Sequence, residues 1–289
     1  MKAWGLTTAW CVRRRVYVQV LISLVVILLV WAYRSGAQSG GQAAEVVKSV
    51  ASGQINWTTG LVSSRARGDS EQAGGHEVSP RLEAFTAAQR LAQQRLFETI
   101  RQLPLDAAQT VGHFLQGAAD KQRALEALAA EAEVVETHYL PRGVVETVLQ
   151  LPLSGRFTAL VWSAHPTVTA PVSDRTEAVY TGLVIDARGL AIRHALFPHI
   201  VDEDGRTIYA PTQVDPEVAA QRGYVMYTRT LQSPQITSRV GEHPLVLRAQ
   251  RVAGPSRIDL LLRRADATRL QEESTIRTLL RQCRIVIVG

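Results

Sequence analysis

The chain has 289 residues, with 32 Lys and Arg against 26 Asp and Glu and a formal net charge of +6. Residues 1–34 hold five basic residues and no acidic one, so the rest of the chain carries 6 − 5 = +1, with acids and bases interspersed. This balance lacks the basic patches of nucleic-acid-binding proteins, so we expect no nucleic-acid partner. The length predicts one or two folded units.

The first predicted element is an apolar run over residues 16–33, interrupted only by Gln19 and Ser23. At about 1.5 Å of helical rise per residue, the run spans roughly 27 Å, close to the hydrocarbon core of a bilayer. It predicts a transmembrane helix after a short cytoplasmic stub, with the exported body following residue 34. The predicted membrane-spanning residues include Val16, Leu21, Val25, Leu29 and Trp31, and the predicted topology-setting residues are Arg13, Arg14 and Arg15.

The same run also fits a cleaved signal peptide, because Ser35, Gly36 and Ala37 offer small residues for a signal peptidase. The anchor interpretation predicts a single-pass protein of the bacterial inner membrane, with its N-terminus in the cytoplasm and its body in the periplasm. The alternative predicts secretion to the periplasm after cleavage near Ala37. Cys11 precedes the run and Cys283 follows it, so we expect no disulfide framework.

The composition of the next segments predicts a tether and then a first folded unit. Residues 35–51 are rich in Gly, Ser, Gln and Ala, which is typical of a tether. The pattern of residues 52–153 predicts a lipoprotein-like α+β unit. Its predicted elements are a strand at 54–59, an amphipathic helix beginning at Ser79-Pro80, a second helical stretch and a hairpin around Pro141-Arg142-Gly143. Residues 154–177, which contain Gly and Pro, predict a linker.

Residues 178–289 predict a second α+β unit. Asp204-Gly205 marks a hairpin, Asp215-Pro216 begins a short helix, and an apolar strand at 284–288 ends the chain. The predicted class is therefore α+β, with an N-terminal transmembrane helix followed by one or two compact units of helices and antiparallel sheet.

The sequence carries no recognisable catalytic or metal signature. It lacks a phosphate-binding loop, a dinucleotide-binding fingerprint, a serine-nucleophile elbow and a zinc-protease helix motif. The acidic residues of the turn at 202–204 suggest a cation site, but they lack the ligand spacing of a calcium-binding loop. We predict that the protein is not an enzyme and that it has no catalytic, cofactor-binding or metal-binding residue. A periplasmic module that binds a small ligand or a cation at this turn is the alternative function.

Several blocks together resemble a known family. They are Ile55-Asn56-Trp57, a helix at 81–100 opening with Leu-Glu-Ala-Phe, Gln150-Leu151-Pro152-Leu153, YTGLVIDARGL at 180–190 and HIVDEDGRTIYA at 199–210. They are similar to the envelope family typified by small Lpp-type surface lipoproteins, which is related to the flagellar outer-ring accessory proteins FlgP and FlgT. The resemblance implies a non-enzymatic cell-envelope structural or assembly protein that self-associates or binds other envelope proteins, with flagellar assembly as one option. No lipidated cysteine follows the apolar run, so a protein anchor or free export would replace the lipid.

Overall fold

An antiparallel sheet of five strands forms one layer of the fold. The computed structural model describes residues 44–69, 80–162 and 179–289. In spatial order the strands are β1 (Val47–Val50), β2 (Gly53–Asn56), β3 (Leu61–Gly68), β5 (Val145–Pro152) and β4 (Glu133–Tyr139). Along β3, Ser64 and Ala66 are buried whereas Arg65 and Arg67 are exposed. This alternation is that of a sheet covered on one face and solvated on the other.

Among the described residues, four helices accompany this sheet, and the first of them packs on its buried face. They are α1 (Pro80–Arg101), α2 (Val111–Phe114), α3 (Ala119–Ala130) and α4 (Arg156–Trp162). The side of α1 against β3 and β5 carries Ala84, Ala88 and Ala92, all fully buried, and these small side chains let helix and sheet approach closely. At the closest point the Ser64 hydroxyl donates to the carbonyl oxygen of Ala92 at 2.7 Å.

A second sheet is entirely parallel. Its spatial order is β10 (Leu245–Arg248), β6 (Leu183–Asp186), β13 (Ile285–Val288) and β9 (Met226–Thr228). The two central strands are buried apolar runs at residues 183–185 and 285–288, which is typical of parallel strands covered on both faces. The helices of this region are α5 (Pro216–Arg222), α6 (Pro234–Val240), α7 (Arg264–Glu272) and α8 (Ser274–Arg281).

A third, mixed sheet lies in the same C-terminal part of the chain, in the order β11 (Arg251–Ala253), β12 (Asp259–Leu261), β7 (Ile200–Val201) and β8 (Thr207–Tyr209). Residues 45–289 cluster as one unit with a shared core. Backbone bonds join its two parts, because the N–H groups of Leu196 and Phe197 donate to the carbonyls of Pro104 and Leu105 at 3.0 and 2.8 Å.

The predicted fold class is wrong. The described residues form a mixed α/β fold with eight α-helices, not an α+β fold with antiparallel sheets throughout. The segments 183–186 and 285–288 each have the apolar composition of a strand. In the structure they pair with each other in parallel, although about a hundred residues separate them. Local turn signals reveal hairpins such as β7–β8, whereas such a distant parallel pairing leaves no local signal.

The predicted transmembrane helix and the localisation built on it are also corrected. Across residues 44–69, 80–162 and 179–289, no helix is both long and apolar enough to cross a membrane. The longest helix in the described part of the chain, α1, has 22 residues but carries six charged side chains. The predicted spanning residues Val16, Leu21, Val25, Leu29 and Trp31, and the predicted topology-setting residues Arg13, Arg14 and Arg15, lie outside the described residues. The single-pass inner-membrane anchor is withdrawn, and cleavage near Ala37 stays a prediction.

Candidate functional site

A cavity of about 130 Å³ lies where the turn between β2 and β3 faces the segment that leads into β9. Its position follows from the fold, because this is where the antiparallel layer meets the parallel one. The wall combines aromatic and aliphatic side chains with two arginines, and includes Trp57, Leu153, Phe197, Arg222, Tyr224, Met226, Tyr227 and Arg239. A mostly apolar cavity with a few polar groups is the usual form of a small-molecule site.

Trp57 anchors one side of the cavity through an aromatic cluster. Its ring stacks on His194 with centroids 6.0 Å apart and meets Tyr227 edge-on at 5.9 Å. The Tyr227 hydroxyl donates to the carbonyl oxygen of Ala195 at 3.0 Å and accepts from the Ala195 N–H at 3.3 Å. These contacts hold the two layers together and fix the cavity wall.

His194 is a neutral member of this cluster. Burial, followed by the nearby charges of Lys48 and Arg229, lowers the pKa of His194 to about 4. The imidazole is therefore uncharged near neutral pH, and its Nε2 is buried without a hydrogen-bond partner among the described residues. It serves as a packing group beside Trp57.

Arg239 forms the opposite side of the cavity. It lies near the end of α6, and its guanidinium donates to the carbonyl oxygen of Gly223 at 2.7 Å and to that of Arg222. Burial lowers the pKa of Arg239 from its ordinary value, but an arginine remains charged at neutral pH. Within the described residues, none of the ion pairs involves Arg239.

Three residues of the cavity wall each have a buried polar side-chain atom without a partner in the described part of the chain. Among the described residues, Trp57 Nε1, Tyr224 Oη and Arg239 Nε are buried with no hydrogen-bond partner. Each such group costs free energy that a polar partner would recover. The lining in the described part of the chain includes no Asp or Glu, so the site combines donors and positive charge.

A buried thiol lies behind this wall. Cys283 is fully buried, and burial raises its pKa to about 11. Tyr209 stacks on Tyr224 with centroids 4.6 Å apart, and its hydroxyl donates to the Tyr224 carbonyl oxygen at 3.0 Å. A nucleophilic cysteine reacts as its thiolate, so the raised pKa and the burial of Cys283 favour a core role for it.

The edge strand β4 is a second candidate surface. In the described part of the chain it pairs with β5 and with no other strand. Two of its apolar side chains are exposed, Val135 at 38% and Tyr139 at 68%. Between them, Glu136 lies 3.1 Å from His138 and 3.7 Å from Arg65.

The acidic turn at 202–204 is held by its own hydrogen bonds. One carboxylate oxygen of Asp202 accepts from the N–H groups of Asp204 and Arg206 at 2.9 and 2.8 Å. Asp204 pairs with Arg264 at 2.6 Å. Across the described ranges, no group of three His, Cys, Asp or Glu side chains could hold a metal ion.

Sequence reasoning did not single out Arg222, Tyr224 or Arg239. A signal for their helices does exist, because Asp215-Pro216 and Ser233-Pro234 begin two short helices that end at Gly223 and Gly241. The meeting of the two helix ends depends on tertiary packing, which the sequence does not display.

A comparison with known families concerns the C-terminal part alone. Residues 182–289 match the family described as Treponema pallidum Tp0624, second domain, which is less than half of the chain. The match begins next to β6 and covers the parallel and mixed sheets. No curated protein matches the chain. The family description names neither Lpp-type lipoproteins nor flagellar proteins, so that resemblance stays a prediction. The C-terminal part of this chain is thus similar to the second domain of Tp0624.

Proposed function

We propose that this protein is a non-enzymatic structural protein of the bacterial envelope that assembles by self-association through strand β4. The observation that carries the proposal is the arrangement of side chains on β4, which complements itself about Thr137. The envelope setting rests on the resemblance to envelope families, and the mode of assembly rests on the geometry of the strand.

The side chains of β4 are arranged symmetrically around Thr137. Val135 and Tyr139 lie two residues to either side of it, and Glu136 and His138 lie one residue to either side. A second copy paired antiparallel about Thr137 would therefore place each Val135 opposite a Tyr139 and each Glu136 opposite a His138. Aromatic with β-branched, acidic with basic and Thr with Thr are favourable cross-strand pairs.

The backbone of β4 supports the same arrangement. An edge strand presents unpaired N–H and C=O groups that a further strand can use. The one irregularity of the β4–β5 ladder lies at Val135, between Val134 and Glu136, so residues 136–139 are regular and the Val135–Tyr139 pairs would lie at the two ends of the regular stretch. A twofold axis at Thr137 would use the same patch on both copies, as most homodimers do.

The expected affinity is low. The five cross-strand pairs contribute roughly 0.2–1 kcal/mol each and the backbone hydrogen bonds across the added ladder about 0.5–1.5 kcal/mol each, against an entropic cost of association of about 4 kcal/mol or more. The dimer should therefore depend on concentration and become populated in the high micromolar range. A weak contact of this kind suits a component that assembles reversibly in a crowded compartment.

Sedimentation velocity of the full chain from roughly 10 μM to 1 mM tests the proposal. We expect a monomer–dimer equilibrium that the double variant Val135→Glu, Tyr139→Glu abolishes, because it places four carboxylates at the interface. Val246→Glu is the matched control, since Val246 is 51% exposed on the edge strand β10. A strict monomer over this range, or equal loss of dimer in the control, would contradict the proposal.

A further inference from the structure

We propose that the cavity between Trp57 and Arg239 is a binding site for a small organic carboxylate. The carboxylate would lie against Arg222 and Arg239, and the apolar part of the ligand would lie among Trp57, Leu153 and Phe197. This site is independent of the β4 edge and of the self-association proposed above.

The positive charge of the cavity wall favours a negatively charged ligand. Arg239 is partly buried, and two of its guanidinium nitrogens donate to backbone carbonyls. Arg222 lines the same cavity and has an exposed side chain. Two arginines with no lining carboxylate favour a negatively charged ligand, and a guanidinium matches the planar geometry of a carboxylate.

The size of the cavity limits the ligand. A volume of about 130 Å³ is close to the ~150 Å³ of an engineered apolar cavity that binds benzene. The site would thus accept an acid with one ring or a short branched chain, and it would exclude a nucleotide or a peptide.

The apolar walls favour a carboxylic acid over inorganic phosphate. Trp57 and Phe197 belong to the cavity wall and are held by aromatic contacts, with little of either ring left exposed. An ion that carries charge on every side would lose its hydration against these rings, whereas an organic acid places its apolar half there.

Titration calorimetry of the full chain with acetate, isobutyrate and benzoate tests the site, with benzamide as the neutral analogue of benzoate. We expect benzoate or isobutyrate to bind in the millimolar range or tighter, and benzamide to bind at least about tenfold more weakly than benzoate, because it cannot form the charge-assisted contact. No binding of any of the three acids, or equal binding of benzoate and benzamide, would overturn the proposal.

Arg222→Gln is the variant that locates the site. Its side chain is exposed, so the change should leave the fold intact, and we expect it to weaken binding of the acid about tenfold. Arg251→Gln is the matched control, because Arg251 is exposed on β11 and lies outside the cavity wall. Equal affinities of the two variants would place the bound acid elsewhere and overturn the assignment.

Discussion

The Nη2 group of Arg239 donates to the carbonyl oxygen of Gly223 at 2.7 Å, which joins the C-terminal end of α6 to the C-terminal end of α5. Unpaired carbonyls at a helix end carry partial negative charge, so a partly buried arginine is a suitable partner for them. The same contact leaves the positive charge of Arg239 in the wall of the cavity. Fold stability and the proposed ligand site thus depend on one side chain.

Replacing Arg239 should therefore destabilise the fold. Arg239→Met keeps most of the side-chain length but leaves the carbonyls of Arg222 and Gly223 without their donor. We expect a loss of about 2 kcal/mol in the free energy of unfolding, measured by urea denaturation at pH 7. Arg251→Met, on the surface, should change it by less than about 0.5 kcal/mol. Equal stability of the two variants would contradict this role of Arg239.

The close approach of α1 to β3 predicts a specific sensitivity at Gly68. A Cβ added there would lie 2.2 Å from the carbonyl oxygen of Ala84 and 2.4 Å from the backbone nitrogen of Ala88. Both are backbone atoms that cannot turn aside, so we expect Gly68→Ala to cost about 1–3 kcal/mol. Thermal and urea unfolding measure the effect.

Gly60→Ala is the comparison for this experiment. Gly60 has a positive φ of 68° but no neighbour within 4 Å of an added Cβ, so only the backbone conformation is penalised, by about 1 kcal/mol. A Gly68 variant as stable as the wild type would mean that the helix can move away from the sheet.

The Glu146 carboxylate predicts a pH dependence of stability. The hydrogen bond from Arg67 at 2.8 Å and the nearby charges of Arg65, Arg67 and His138 lower the pKa of Glu146, against the opposing effect of burial. A lowered pKa in the folded state means that Glu146 stabilises the fold above its unfolded pKa, near 4.5, and that this contribution is lost as the pH falls through the folded pKa.

The Glu146→Gln variant isolates this contribution. Because the two arginines are largely exposed, we expect the variant to be less stable by up to about 1 kcal/mol at pH 7. The difference from the wild type should shrink below pH 4.5. Urea midpoints at pH 7 and in acid measure it, and a difference that grows in acid would refute the assigned sign.

Cys283 should react slowly in the folded protein. Burial raises its pKa from 9.0 to about 11, which reduces the thiolate fraction roughly a hundredfold at pH 8, before limited access is counted. In a Cys11→Ser background, a thiol reagent should label Cys283 at least about a hundredfold faster in denaturant than in buffer. Equal rates would show that Cys283 is accessible.

Local signals in the sequence predicted some elements well and others poorly. The helix α1 begins at Pro80 as its Ser-Pro start and apolar spacing predicted, and β4 and β5 flank residues 141–143 as predicted. The segment 156–162 lies within the predicted linker but forms the helix α4, because its short apolar run carries no clear period.

Pairings between distant residues could not be predicted. β9 has only three residues and became a strand through its parallel pairing with β13, and β3 extends to Gly68 through its pairing with β5. The cavity depends on the same distant contacts, since Trp57 and Arg239 are far apart in sequence. The symmetry of β4 about Thr137 is visible in the sequence, but its exposure at a sheet edge is not.

Disulfide cross-linking at Thr137 tests the central claim, self-association through β4, most directly. On a twofold axis at residue 137 the two Cα atoms lie about 5 Å apart, within the range of a disulfide. With Cys11→Ser, mild oxidation of Thr137→Cys should give a covalent dimer. Glu133→Cys, on the same strand, should give none, because its two copies would lie about 27 Å apart. Equal cross-linking of the two variants, or no dimer from Thr137→Cys, would contradict the proposed assembly.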